Sequence, residues 1–409
     1  MRISSNLFFQ TGLNSINAQQ SDLMHLYKQV GSGKRMVTPS DDPLAAAQAI
    51  NVSQTLAMSE RYADNREVAT RDLGIQDNVL RSVTLQLQEV KTRLVEAGNG
   101  SWSDADRATM AEVLERARDS LLNLANSTDG NGQYLFSGAL GDRPAFGADG
   151  SYQGNAHTRS IQVDQTREMV SADIGKLIFS RAVPGTTGHI VVPGLGNSTA
   201  VGGASVTVID TEGSAVGKQV EIEITGPQSY DVRIGSTTIQ GLAYDPDQGV
   251  LLGDDFGVEF RLPGQAEQGD RYTLVSLESS EASEGLNLFT TLNDLVQALR
   301  APVHQADDSA LASVQFRNML DSAMQRVDVI YDNVLSVRSS TGARMSELGM
   351  LDESGAARIL DYKYQLSQLE DLDYFSAITQ LSLRSTALEA ASAAFQKIQN
   401  ISLFNMNAR

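Results

Sequence analysis

The sequence predicts a mainly α-helical protein with a β insert. Its framework is a long antiparallel α-helical bundle built from both chain ends, and an antiparallel β-domain is inserted in the middle. Three observations lead there. Apolar residues recur in steps of three and four near both termini, the spacing of one face of a helix. The stripe Leu73, Gln76, Leu80, Val83, Leu87, Val90, Leu94 and Ala97 repeats the pattern for about 37 Å of helix. Between about Gln133 and Glu281 the periodicity changes to short alternating runs separated by Gly, Pro and Asp, which is strand patterning.

The first element is a helix carrying Phe9, Leu13, Ile16, Gln20, Leu23, Tyr27 and Val30 on one seam. A loop rich in Gly, Ser and Pro follows. Asp42 then serves as N-cap with Pro43 at the first helical position, because the Pro ring is preset for helix and lacks only an N–H that would be unpaired anyway. The spacing predicts a helix from Pro43 to about Ala97, ended by Gly98-Asn-Gly100. Ser103 and Asp106 resemble a capping box for a second helix through Met110, Val113, Leu114, Ala117, Leu121 and Leu124.

Strands are predicted at Ser160–Val163, Ala204–Ile209, Gln219–Ile224, Tyr230–Ile234, Gly257–Phe260 and Tyr272–Val275, with one face polar. Helical spacing returns at Leu286 and is bounded by Pro302. A long seam then runs through Leu320, Ala323, Val327, Ile330, Val334, Val337, Thr341, Met345 and Leu348, with Gly355 as a weak point. The last stretch repeats Tyr374, Leu381, Leu388 and Phe395 every seven residues and ends in Ile398, Ile401, Leu403 and Phe404, without proline or glycine. The N- and C-terminal seams are most simply satisfied by packing on each other. Each is one helix at a free end, and isolated helices are marginal. Both segments are therefore expected to be disordered in the monomer and to order when neighbouring subunits add surface.

The chain has 409 residues and a formal net charge of −18. That charge argues against nucleic acid as a partner and against anionic membranes. From Ser180 to Glu281, 14 acidic residues face 5 basic ones, a net −9, whereas residues 1–36 carry a net +3. With no cysteine, disulfides, thiol catalysis and thiolate metal sites are excluded. No run approaches the length of a membrane span, and no basic segment followed by an apolar one marks a secretory signal at the N-terminus.

No motif in the sequence completes a catalytic, cofactor or metal site, so none is predicted. Gly31-Ser-Gly33-Lys34 lacks the remaining residues of a phosphate loop. His25, His157, His189 and His304 are too scattered for a zinc motif. Asp129-Gly-Asn-Gly132 lacks the later ligands of a calcium loop. Asp245, Asp247, Asp254 and Asp255 are better read as acidic turn residues than as paired catalytic carboxylates.

Several motifs in order at both ends carry a resemblance. These are Met1-Arg-Ile-Ser-Ser5, Leu13-Asn-Ser-Ile16, Gln19-Gln20, Gly33-Lys-Arg35, Pro39-Ser-Asp-Asp-Pro43, Tyr134-Leu-Phe-Ser-Gly138, Gly342-Ala-Arg344, Leu369-Glu-Asp-Leu-Asp-Tyr374 and Leu403-Phe404-Asn405. Together they resemble the flagellar hook–filament junction family, hook-associated protein 3, within the flagellin-like proteins. The likeness covers roughly 1–140 and 285–409; residues 180–282 carry no motif of the family. Flagellin itself shares the terminal helices. The Ser-Asp-Asp-Pro loop and the Leu-Phe-Asn ending favour the junction family.

The resemblance implies a division into 1–42 with 366–409 as terminal helices of an inner domain, 43–179 with 283–365 as an α-helical rod domain with a few short strands, and 180–282 as a β-rich outer domain. It implies a structural, non-enzymatic subunit of the extracellular flagellum that assembles with itself as a ring or helical array. The partners implied are the first hook-associated protein, flagellin and a flagellar export chaperone, with export through the type III channel and no cleaved signal peptide. Residues expected at the subunit or chaperone interface are Leu13, Ile16, Leu23, Tyr27, Tyr374, Leu381, Leu388, Phe395, Ile398, Leu403 and Phe404. Two alternatives stay open, a flagellin-type filament subunit and an adhesin or enzyme activity in the β insert.

Overall fold

The computed structural model describes residues 2–194, 196–198, 204–245, 247, 249–262, 266–277 and 286–406, without side-chain placement at 2–6, 8 and 398–406. Seven helices are described: α1 (Arg2–Ser32), α2 (Pro43–Ala97), α3 (Asp104–Ala125), α4 (Gly175–Phe179), α5 (Leu288–Arg300), α6 (Ser309–Glu370) and α7 (Tyr374–Met406). The strands are β1 (Arg159–Asp164), β2 (Arg167–Ala172), β3 (His189–Pro193), β4 (Ser205–Val208), β5 (Val220–Gly226), β6 (Ser229–Ile234), β7 (Thr237–Ala243), β8 (Val250–Leu251), β9 (Val258–Arg261) and β10 (Arg271–Ser276). Two compact units emerge. One comprises Met1–Asp64 with Leu351–Arg409, the other Asn65–Met350.

The long unit is organised by the stripes seen in the sequence. Leu73, Gln76, Leu80, Val83, Leu87, Val90 and Leu94 of α2 are all fully buried. On α6, Leu320, Ala323, Val327, Ile330, Val334, Thr341 and Leu348 are buried as well. Burying a Leu or Val side chain contributes roughly 1.5–3 kcal/mol, so these two rows are the main cohesive element. α3 and α5 pack closely on each other and complete the same core. The Ser103 box is formed: its hydroxyl accepts from the Asp106 N–H at 3.2 Å, and Asp106 accepts from the Ser103 N–H at 3.0 Å.

Past α3, the chain inserts Leu135 and Phe136 into this core. Phe136, Phe146, Phe179 and Phe289 form a ring cluster with centroids 4.8–6.0 Å apart, mostly in the tilted or edge geometries that aromatic quadrupoles favour. Gly138 has φ +70°, and a Cβ there would sit 2.8 Å from the Asn155 and His157 carbonyl oxygens. The Tyr134–Gly138 motif thus delivers two apolar anchors and then turns where only glycine fits.

All strands pair antiparallel, as a β1–β2 hairpin, a five-stranded sheet in the order β3-β10-β5-β6-β7 and a three-stranded sheet in the order β4-β9-β8. β5 alternates as its sequence predicts. Val220, Ile222 and Ile224 are buried, while Glu221 and Glu223 turn to the polar face and pair with Arg233 and Arg271. Four strands, β2, β3, β7 and β8, lie outside the runs that the sequence predicts. β7 is a largely exposed edge whose alternation is interrupted by Gly241 at φ +71°, and β3 is a continuous apolar run. β2 has mixed polarity, and β8 is two residues long. Gly355 does not break α6, which continues to Glu370. A mid-helix glycine costs only about 1 kcal/mol against alanine.

In the other unit, α1 and α7 pack on each other, and the adjoining segments of α2 and α6 complete it.

Candidate functional site: the terminal helix pair and its clasp

The two helices that follow the loop and the turn beside the terminal pair, α2 and α7, are each capped at the N-terminus by an acidic residue. Asp42 accepts from the Ala45 N–H at 3.0 Å, which starts α2. Asp373 accepts from the N–H groups of Phe375 and Ser376 at 3.1 and 3.2 Å, which starts α7. In each case a carboxylate satisfies orphan donors of a helix end.

The loop after α1 and the short turn between α6 and α7 are joined by a clasp. Arg35 donates its N–H to the Glu370 carbonyl at 2.6 Å, and Leu372 donates to the Gly33 carbonyl at 3.0 Å. Lys34 Nζ lies 2.7 Å from Glu370 Oε2, and the Arg35 guanidinium reaches the Leu369 carbonyl at 3.2 Å. Gly33 has φ +70°, and a Cβ on it would come 2.9 Å from the Tyr374 hydroxyl. The Gly33-Lys-Arg35 and Leu369–Tyr374 motifs, far apart in sequence, are thus the two halves of one structure. Asp41 folds the rest of the loop back. It accepts from the Val37 and Thr38 N–H groups and the Thr38 hydroxyl, each at 2.9 Å, and lies 3.1 Å from His25 Nε2 on α1. The Thr38 backbone and hydroxyl donors hold its carboxyl well below the usual carboxylate range, against the opposing push of burial.

The helix pair itself is only partly closed. Leu26 and Ala377 are buried, at 7% and 4% exposure. Ile16, Leu23, Leu381, Leu388 and Phe395 are half-buried. The Phe9 and Phe395 rings lie 5.1 Å apart, and Arg384 pairs with Asp22 at 2.5 Å. A Cβ on Gly12 would meet the Phe395 ring at 3.0 Å, so a small residue is what lets that ring settle against α1.

The covered row on α1 is Gly12, Ile16, Gln19, Leu23, Leu26 and Val30. It overlaps the predicted seam at Ile16, Leu23 and Val30. Leu13 and Tyr27 lie on the uncovered edge at 38% and 53%, and Tyr374 is 51% exposed. The apolar band of α1 is wider than one seam, and a single partner helix covers only one side of it. Leu26, Gly12 and Ala377 were not singled out by the heptad reading. Leu26 is offset by one helical position from it, and small residues carry no hydrophobic signal. The side chains of Ile398, Leu403 and Phe404 lie outside the described residues.

No helix among the described residues is long and apolar enough to cross a membrane, and no cluster of His, Asp and Glu among them is placed to hold a metal ion.

This architecture, with helices from both chain ends and strands between, defines a flagellin-like class of subunit. The bacterial flagellin N-terminal helical region matches residues 3–140. Over the full length of both chains, the protein is 31% identical to flagellar hook-associated protein 3 of Salmonella typhimurium and 30% identical to that of Escherichia coli. The chain belongs to the flagellar hook-associated protein 3 family, structural proteins of the bacterial flagellum. Its fold is that of the crystal structure of Xanthomonas campestris FlgL, with a TM-score of 0.62 at 24% identity, covering 77% of this chain and 99% of that one.

Proposed function

We propose that this protein is the subunit that joins the flagellar hook to the flagellin filament, and that it assembles through its N- and C-terminal helices. The observation that carries this reading is the half-closed α1–α7 pair. Ile16, Leu23, Leu381, Leu388 and Phe395 retain accessible apolar surface, and Leu13, Tyr27, Tyr374, Phe375 and Leu383 of the same two helices are exposed. Exposed apolar surface concentrated in this way marks an interaction site. Further copies of the chain would cover it laterally, in head-to-tail contacts that close a ring or continue a helix. The first hook-associated protein and flagellin would meet its two ends.

Before assembly, the same stripe on α7 needs a cover. A flagellar export chaperone would occupy it in the cytosol. Terminal segments that gain most of their burial from neighbours can travel unfolded through the type III channel, and no cleaved signal is then required. The protein acts as an adaptor and performs no catalysis. The domain division 1–42 with 366–409, 43–179 with 283–365, and 180–282 describes its inner, rod and outer parts.

A strain lacking the gene tests the reading. It should build hooks without filaments and release flagellin into the medium. Normal filaments in that strain would sink it.

A further inference from the structure

At the α2–α3 turn the chain forms a pocket of about 320 Å³. Its walls include Trp102, Arg107, His304, Phe316, Arg317 and Ser309 in the first turn of α6. Arg107 is 3% exposed, yet its Nε has no hydrogen-bond partner. Its guanidinium carbon stands 4.9 Å from the centre of the Phe316 ring, which fixes the side chain by stacking. Leaving a buried donor unpaired is costly, and a cationic donor most of all. Arg317 is exposed, and among the described residues it makes no hydrogen bond or ion pair; its charge acts through space on Asp321, one helical turn on. Gly100 lies beside Arg317, where a Cβ would make an ordinary contact of 3.4 Å with the Arg317 guanidinium.

The acid in the vicinity is already committed. Asp104 accepts from Arg107 at 2.6 Å and from the N–H groups of Val303, His304 and Gln305 at 3.2–3.3 Å, and it lies 3.2 Å from the His304 ring. Burial pushes its carboxyl up, but these donors, the His304 N–H foremost, more than reverse that and keep it ionised far into acid. Asp104 therefore has little capacity left to serve Arg107 Nε or Arg317. The start of α6 is capped by Asp308, which accepts from the Leu311 N–H at 3.0 Å, so that carboxylate is committed as well.

We infer that this pocket is a carboxylate-binding site, filled in the assembled structure by an Asp or Glu side chain from a second copy of the chain. Two guanidinium groups on an apolar floor match a planar carboxylate. The occupant follows from charge: the chain carries 50 acidic against 32 basic residues, so the surface a neighbour offers is rich in the required group. The occupant rests on the assembly proposed above, whereas the ligand chemistry does not.

Trp102 is the only tryptophan and lines the site, so the monomer reports its own occupancy. Titrating the full chain with glutarate at constant ionic strength should give a saturable change in tryptophan fluorescence. Arg317→Ala, with unchanged circular dichroism, should weaken it about tenfold or more. No saturable change, or an equal response in Arg317→Ala, overturns the site. In assembly assays Arg317→Glu should lower incorporation at least about tenfold; incorporation at the wild-type level overturns the second copy as occupant. Leu388→Asp with Phe395→Asp separates the two ideas, because that chain should fail to assemble yet bind glutarate normally. Loss of glutarate binding in it would overturn the site as a property of the monomer.

Discussion

In α2, the stripe from Leu73 to Leu94 is fully buried, whereas in α1 and α7 the residues of the terminal seams are buried only in part, and Leu13, Tyr27 and Tyr374 are exposed. The spacing of the two sets is the same. The difference lies in how many neighbours each stripe has. α2 shares its core with α3, α5, α6 and the aromatic cluster around Phe146, so water is excluded on all sides of the row. α1 and α7 have chiefly each other. A single helix covers roughly one seam of its partner, and the rest of the apolar band stays open. Heptad spacing therefore specifies that a stripe will seek a partner, and the number of available partners decides whether the stripe stabilises a fold or serves assembly.

The sharpest break of that contrast is the same substitution on either side of it. Leu87→Asp places a charge where no water reaches, and should cost at least several kcal/mol, enough to unfold the long unit in a denaturant titration followed by circular dichroism. Leu388→Asp with Phe395→Asp should leave that unit's unfolding midpoint in place while blocking incorporation into the flagellum. If the double variant unfolds the monomer as Leu87→Asp does, the two seams are equivalent and the contrast fails.

Hydrogen exchange grades the contrast without mutation. Amides of Leu73–Ala97 should exchange only through global opening, and those of 1–40 and 370–409 should exchange fast in the isolated monomer. Strong protection at both ends would contradict folding coupled to assembly. A smaller effect is expected at the clasp. Gly33→Ala should cost about 1–2 kcal/mol, because a left-handed backbone is forced on a residue with a Cβ and because Tyr374 occupies the space. Reduced protection of 370–374 would be the readout.

The smallest effect concerns acid. The carboxyl of Asp41 is depressed in the folded chain, so its contribution is present above the ordinary carboxylate pKa near 4 and fades as pH falls below that toward the folded value. Wild-type stability should drop more steeply than that of Asp41→Asn between about pH 4 and pH 2. Parallel curves would show that the Asp41 turn contributes nothing to the short unit.

Much of this fold is legible in the sequence because its signals are local. Asp42-Pro43 sets the start of α2, Ser103 with Asp106 sets the start of α3, and the α2 and α6 stripes name their own buried residues. The buried polar members of those stripes are a different case. Gln76 sits at a heptad position, but its role needs Asp173 and Thr341. Its side-chain amide donates to Asp173 at 2.6 Å and to Thr341 at 3.0 Å, and Arg344 also binds Asp173 and reaches the Val170 carbonyl at 3.0 Å. No spacing rule links positions 76, 173 and 344. The clasp is similar, since Gly33 and Glu370 announce themselves as a turn residue and a helix end, but nothing local pairs them. β7 is hard to read for the opposite reason: an exposed edge strand needs no apolar alternation, so it leaves little pattern.

By itself, then, the sequence determined where helices begin and end, which of their faces are apolar, and that both chain ends are helical while the middle is strand. These follow from side-chain volume, capping and periodicity within a few residues of each position. Only the tertiary structure decided which stripes are covered and which stay open, that Gly33–Arg35 closes on Leu369–Leu372, and that Trp102, Arg107 and Arg317 share one pocket. Those outcomes depend on which distant segments arrive at the same place, and burial is a property of that arrangement, not of any one segment.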